Sequence, residues 1–207
     1  MRAMGDSTRR VNEMAVERAD AEAAVDTLVR YIEGADGALR EGLVDTPGRV
    51  ISAYDEIFSG YGVNVQKTLD STFNSEGYDG IVLLRDIEFH STCEHHMQTF
   101  SGRAHVAYIP VDRIVGISKL ARLVDIHARR LQNQERITRQ VADALVEHLS
   151  PLGCAVIIEA GHGCMRCRGV QKSHAVMTTS AMRGVFLEKP EARSELMQLI
   201  RSKPLDG

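Results

Sequence analysis

The chain has 207 residues, 43% of them hydrophobic and 26% charged, with a formal net charge of −3. That is enough for one sizeable core or two small ones, with no overall pull toward polyanions. The lack of Trp and scarcity of aromatics argue against a nucleic-acid reader that stacks bases, and four cysteines are too few for a disulfide scaffold.

No apolar run approaches the ~20 residues of a membrane span, and residues 1–6 carry no secretory-type apolar segment. A cytoplasmic location, where thiols stay reduced, is expected, with neither a membrane nor a nucleic acid as partner.

Residues 1–18 are polar without period and read as a frayed start. Over residues 20–33, Val25, Leu28, Val29 and Ile32 fall at helical spacing, and Gly34 and Gly37 close that helix. Thr46-Pro47 marks a second helix, with Thr46 as cap and Pro47 at its first position. Val50, Ala53, Tyr54 and Ile57 continue it to Gly60. For both helices the expected role of the apolar positions is packing. Residues 60–79, rich in Gly, Asn, Ser and Asp, read as a loop.

Residues 81–89 and 104–109 read as strands joined by about fourteen residues. In the second, Ala104, Val106 and Tyr108 share one face and His105, Ala107 and Ile109 the other. Helices follow over 118–131 and 133–149, the latter capped by Asn133. Residues 154–159 form a third strand, and 175–179 with 184–187 suggest returning strands. An amphipathic helix over 190–202 ends the pattern. Strands grouped in pairs with helices between them predict an α+β domain on an antiparallel sheet.

Two clusters carry the chemistry. His90-Ser91-Thr92-Cys93-Glu94-His95-His96 lies at the end of the first strand, and Gly161-His162-Gly163-Cys164-Met165-Arg166-Cys167-Arg168 follows the third. Cys93, His96 and Cys164 on one Zn²⁺ would leave a fourth position for a water, the pattern of a catalytic site. His95 and His162 then flank the ligands as proton donors or acceptors. Adding Cys167 gives instead a closed Cys₃His structural site, and spacing leaves both readings open. Ser118, Lys119 and Arg122 open a predicted helix where backbone N–H groups favour phosphate oxygens. Arg166 and Arg168 add positive charge beside the second cluster. Glu135, in a helix's first turn, could equally answer only the helix dipole.

With these residues in view, the chain resembles the GTP cyclohydrolase I family. The resemblance rests on Thr46-Pro47-x-Arg49, Ser91-x-Cys93-Glu94-His95-His96, Ala107-Tyr108-Ile109-Pro110, Gly116-x-Ser118-Lys119-x-x-Arg122, Gln132-x-Gln134-Glu135-Arg136-x-Thr138 and His162-x-Cys164-Met165-x-x-Arg168-Gly169, in order. It covers residue 46 onward, which implies an N-terminal helical extension (1–45) before a catalytic domain (46–207). The implied fold is the T-fold, an antiparallel sheet with two layered helices.

The resemblance implies Cys93, His96 and Cys164 as zinc ligands and His95 and His162 as catalytic groups. Relatives usually carry a small non-ligand residue where this chain has Cys167, which favours the open site. Glu135, with Gln134 beside it, would recognise guanine. Ser118, Lys119, Arg122 and Arg168 would hold ribose and triphosphate, and Arg49 would reach the triphosphate from a neighbouring subunit. Ser52 stands where some relatives have a second cation, and Thr99 replaces a common Pro. The implied reaction converts GTP and water to formate and 7,8-dihydroneopterin triphosphate, at the head of folate or other pterin synthesis. The implied assembly is a toroidal homodecamer.

Overall fold

A computed structural model describes residues 16–202; most of the stretch read as a frayed start lies outside it. The described chain divides into two compact units, the first ending at Gly62 and the second beginning at Val63.

The first unit holds α1 (Arg18–Glu33), α2 (Glu41–Val44), α3 (Thr46–Ile57) and a 3₁₀ turn, Ser59–Gly62. Gly34 ends α1 in the left-handed conformation (φ 62°), and its N–H bonds the carbonyl of Arg30. Thr46 is the first residue of α3 and not its cap, because Asp45 precedes the helix. The Asp45 carboxylate makes no capping bond and instead accepts from Arg49 one turn on, at 3.1 Å. The apolar positions of α1 are less buried than helical packing implied. Leu28 is 55% exposed and Ile32 69%.

The second unit comprises α4 (Val65–Leu69), β1 (Thr72–Asn74), β2 (Val82–Cys93), β3 (Thr99–Ile109), β4 (Arg113–Val115), α5 (Ile117–Ala128), β5 (Leu131–Gln132), α6 (Gln134–Leu149), β6 (Gly153–His162), α7 (Gly163–Arg166), β7 (Met177–Gly184), α8 (Val185–Glu188) and α9 (Pro190–Arg201). The stretch read as a loop over 60–79 therefore contains a 3₁₀ turn, a short helix and a strand. Its polar residues hide them: Asn64 caps α4 by accepting from the Lys67 N–H at 2.9 Å.

The main sheet has the order β5-β2-β3-β6-β7, antiparallel throughout except for the two-residue parallel pair of β5 with β2. The β2–β3 hairpin is longer than its hydrophobic pattern. Thr92 pairs with Thr99, so five residues connect the strands where fourteen were expected. The polar residues His90, Ser91, Ser101 and Arg103 continue the ladder at the end where the apolar alternation fades. The returning strand is one piece, β7. It stops at Gly184 (φ 57°), and residues 185–188 turn into α8 instead of continuing as strand.

The alternation read in β3 holds. Ala104, Val106 and Tyr108 join Phe89 and Phe100 in a core under α5 and α6, with Leu120, Leu123 and Val124 facing Ile137, Val141 and Leu145. Ala107 and Ile109 lie on the opposite face with Ala155, Phe186 and Leu196. Each of the larger aliphatic and phenylalanine side chains, fully buried, contributes roughly 1.5–3 kcal/mol over leaving it exposed. Arg85 ties the second layer down by donating to the carbonyls of Leu199 and Ser202 at the end of α9, at 3.0 and 2.6 Å.

The two ends of α5 are anchored at opposite ends of β2. At its C-terminal end the Ala128 carbonyl accepts from the Ser91 hydroxyl at 2.7 Å, two residues before Cys93. Its N-terminal end follows β4, whose Val115 N–H donates to the Tyr108 hydroxyl at 2.9 Å; Tyr108 pairs with Val82, at the far end of β2.

Candidate metal centre and active site

The hairpin loop after β2 is shaped by its backbone. The Met97 N–H donates to the Cys93 carbonyl at 2.8 Å, the Cys93 N–H donates to the Gln98 carbonyl at 2.8 Å, and Met97 takes a positive φ of 52°. This tight turn places His96 back beside Cys93. On the neighbouring side of the sheet β6 runs into α7, which carries Cys164 one residue past Gly163. A Cβ on Gly163 would lie 2.7 Å from the Thr99 carbonyl, so glycine is what lets α7 sit this close to the start of β3.

The result is one three-atom group: the sulfurs of Cys93 and Cys164 and a ring nitrogen of His96 lie within 4.8 Å of one another. Two soft thiolates and an imidazole at that spacing suit a tetrahedral zinc ion with one position left over. Burial, and then the neighbouring Cys93 sulfur, push the Cys164 thiol above its ordinary value. A dication would relieve that opposition by holding both sulfurs as thiolates. Cys167 stands outside the group. It is exposed, and its thiol donates to the Gly163 carbonyl at 3.0 Å within its own helical turn.

The two histidines sit differently. His95 is exposed, with Nδ1 3.8 Å from the Cys93 sulfur and Nε2 3.8 Å from Glu94. His162 is partly buried. Its ring stacks flat on Phe100, with centroids 4.5 Å apart and planes 5° apart, and its Nε2 lies 2.9 Å from Gln134 Oε1. Burial lowers the His162 pKa, with Glu135 opposing and Arg166 reinforcing the shift.

The start of α6 buttresses both. Asn133 caps the helix through the Arg136 N–H at 2.8 Å, and its amide donates to Glu94 at 3.0 Å. Arg136 forks onto both Glu94 oxygens, holding that carboxylate below its usual range. These partners lie about forty residues apart, and no sequence spacing announces them. Phe100 lies between the two strands read from the sequence, and nothing local marks it as a partner of His162.

Gln134 is fully buried, with its amide wholly engaged by protein groups. Glu135, next to it, is exposed and lines an open cleft of about 520 Å³ with Thr138, Arg139, Thr179 and Arg183. Arg168 is exposed just after α7. Ser118, Lys119 and Arg122 lie on the first two turns of α5, toward the end of β2 opposite Cys93. The end of α5 that is tied to β2 beside Cys93 is the other one, at Ala128. Arg49 belongs to the first unit, exposed and paired with Asp45.

The family model of GTP cyclohydrolase I matches residues 21–201, so the match includes α1 and begins well before the motifs at residue 46. A GTP cyclohydrolase 1 from Synechococcus sp. (strain JA-2-3B'a(2-13)) is 51% identical over 179 residues, 86% of this chain and 77% of the relative. One from Allorhizobium ampelinum is 49% identical over 187 residues, 90% of this chain and 92% of the relative. The solved archaeosine synthase QueF-Like in its apo form is a partial likeness: TM-score 0.42, 17% identity, 50% of this chain and 93% of that one. With about half of its residues shared across most of both sequences, this chain belongs to the GTP cyclohydrolase I family.

Proposed function

We propose that this T-fold protein opens the imidazole ring of GTP, giving formate and 7,8-dihydroneopterin triphosphate for pterin and folate synthesis. The observation that carries this is the convergence of the Cys93, His96 and Cys164 ligand atoms within 4.8 Å, beside two histidines. Cys93, His96 and Cys164 would hold a zinc ion, which would supply an acidified water as the nucleophile for C8 of the purine. His162 gives a proton to N7 as the ring opens. His95, exposed at the mouth, assists opening of the ribose.

Glu135 accepts the N1–H and 2-amino hydrogens of guanine in its cleft. Adenine lacks that donor pair and would leave the carboxylate unmatched. Gln134, fully buried beside Glu135, supports this site through its protein partners and not by touching the base. Ser118, Lys119, Arg122, Arg168 and Arg49 hold ribose and triphosphate.

Within the second unit, Ser118, Lys119 and Arg122 open α5, whose other end is the one tied to β2 beside Cys93. The 12-residue α5 spans about 18 Å between its anchored ends. This supports a homo-oligomer, the decamer of the family resemblance, in which the start of α5 from one copy meets the metal end of another. Exposed Ile117 and Phe73 beside the α5 start fit a covered surface. Among the described residues no helix is long and apolar enough to cross a membrane, and a cytoplasmic site of action is part of the same proposal.

The test is formate release from GTP by zinc-loaded protein, with bound zinc measured in parallel. Chelation should abolish release, and Cys167→Ala should retain both zinc and activity, because its sulfur lies outside the three-atom group. A zinc-loaded, folded protein that leaves GTP intact would end the reading. Loss of zinc in Cys167→Ala would mean a closed, structural site.

A further inference from the structure

The buried amide of Gln134 permits one orientation only. Its Nε2 lies 2.9 Å from the Ile158 carbonyl, 3.0 Å from the Met177 carbonyl and 3.1 Å from the Thr179 hydroxyl. Turning the amide over would set its oxygen against two carbonyl oxygens that have no hydrogen to give. The hydroxyls close the same pattern. Thr138 spends its one hydrogen on the Gln134 carbonyl at 2.7 Å, so at the 2.6 Å contact with Thr179 it is Thr179 that donates. Thr179 is left as an acceptor for the Gln134 amide. Gln134 Oε1 therefore faces His162, and it can only accept.

The His162 nitrogen 2.9 Å away must then carry a hydrogen. Stacking on Phe100 fixes the plane of the ring, and Gln134 fixes its rotation within that plane. We infer that Gln134 is a positioning residue: its buried amide holds His162 in the Nε2–H form, so that Nδ1 is the ring nitrogen left for the role given to His162 above. This goes beyond a contact with guanine, which a fully buried side chain with four protein partners does not make. It rests on the role given to His162 above.

The test reads the ring nitrogens directly. In full-length, zinc-loaded protein with ¹⁵N-labelled histidine, and with His162→Gln to assign the signal, His162 should show a protonated Nε2 and an unprotonated Nδ1. Gln134→Met, similar in shape but unable to accept at that position, should let the ring populate both tautomers. Its kcat for GTP should fall about 10- to 100-fold, the usual cost of losing an orienting partner, while KM stays within about twofold. An Nδ1–H ring in the wild type, or a raised KM with kcat preserved in Gln134→Met, would overturn the inference. The wild-type measurement stands even if Gln134→Met does not fold. A locked ring in a protein inert toward GTP would sustain the lock and remove instead the function assigned above.

Discussion

His127 is a buried polar residue with no part in the proposed chemistry. It is 6% exposed on the core side of α5, and neither ring nitrogen meets a hydrogen-bond partner. Burial first, and Arg130 next, press its pKa from 6.5 down to about 4, against a smaller opposing effect of Gln140. The ring is thus neutral in the fold, while an unfolded chain takes up a proton below 6.5. Between about pH 6.5 and 4 the unfolded state holds the extra proton, so stability falls as pH falls, by on the order of 3 kcal/mol across the window. Below about 4 both states are protonated and this contribution levels off. His127→Phe should stabilise the protein by about 1–3 kcal/mol, by removing an unsatisfied buried group. It should also flatten the acid side of the stability curve in urea titrations from pH 4 to 7. An unchanged slope would show that other groups set the acid response.

At the scale of elements, the metal group depends on how closely α7 approaches β3. Gly163→Ala puts a methyl group against the Thr99 carbonyl, and that backbone has no room to withdraw without moving the strand. The expected result is about a tenfold loss of zinc affinity in competition with a chromophoric chelator, in the range of altered supporting contacts. Far-UV circular dichroism should be unchanged. Unaltered affinity would mean that α7 shifts without carrying Cys164 away.

These elements were unevenly legible in the sequence. The alternation of Ala104, Val106 and Tyr108 and the Asn133 cap were readable because a period of two and a capping side chain are local. The polar half of the β2–β3 hairpin was not, because His90 to Thr92 are held by ladder partners and by α5 and show little apolar pattern of their own. The same contrast holds at the site. The spacings of Cys93, His96 and Cys164 pointed to a metal, while the amide of Gln134, the stack on Phe100 and the Arg136 fork exist only once the sheet has formed. Distant partners of this kind leave no mark on spacing.

Across the whole molecule, the anchoring of α5 has a genetic consequence. If the nucleotide is gripped by the α5 start of one copy and attacked at the metal end of another, the two kinds of lesion reside in separable halves of each site. His162→Ala and Lys119→Ala proteins, each inactive alone, should regain activity when co-expressed in one cell. Random assembly in equal amounts leaves about a quarter of the sites with both halves intact. A site contained in a single polypeptide would give no rescue at any ratio.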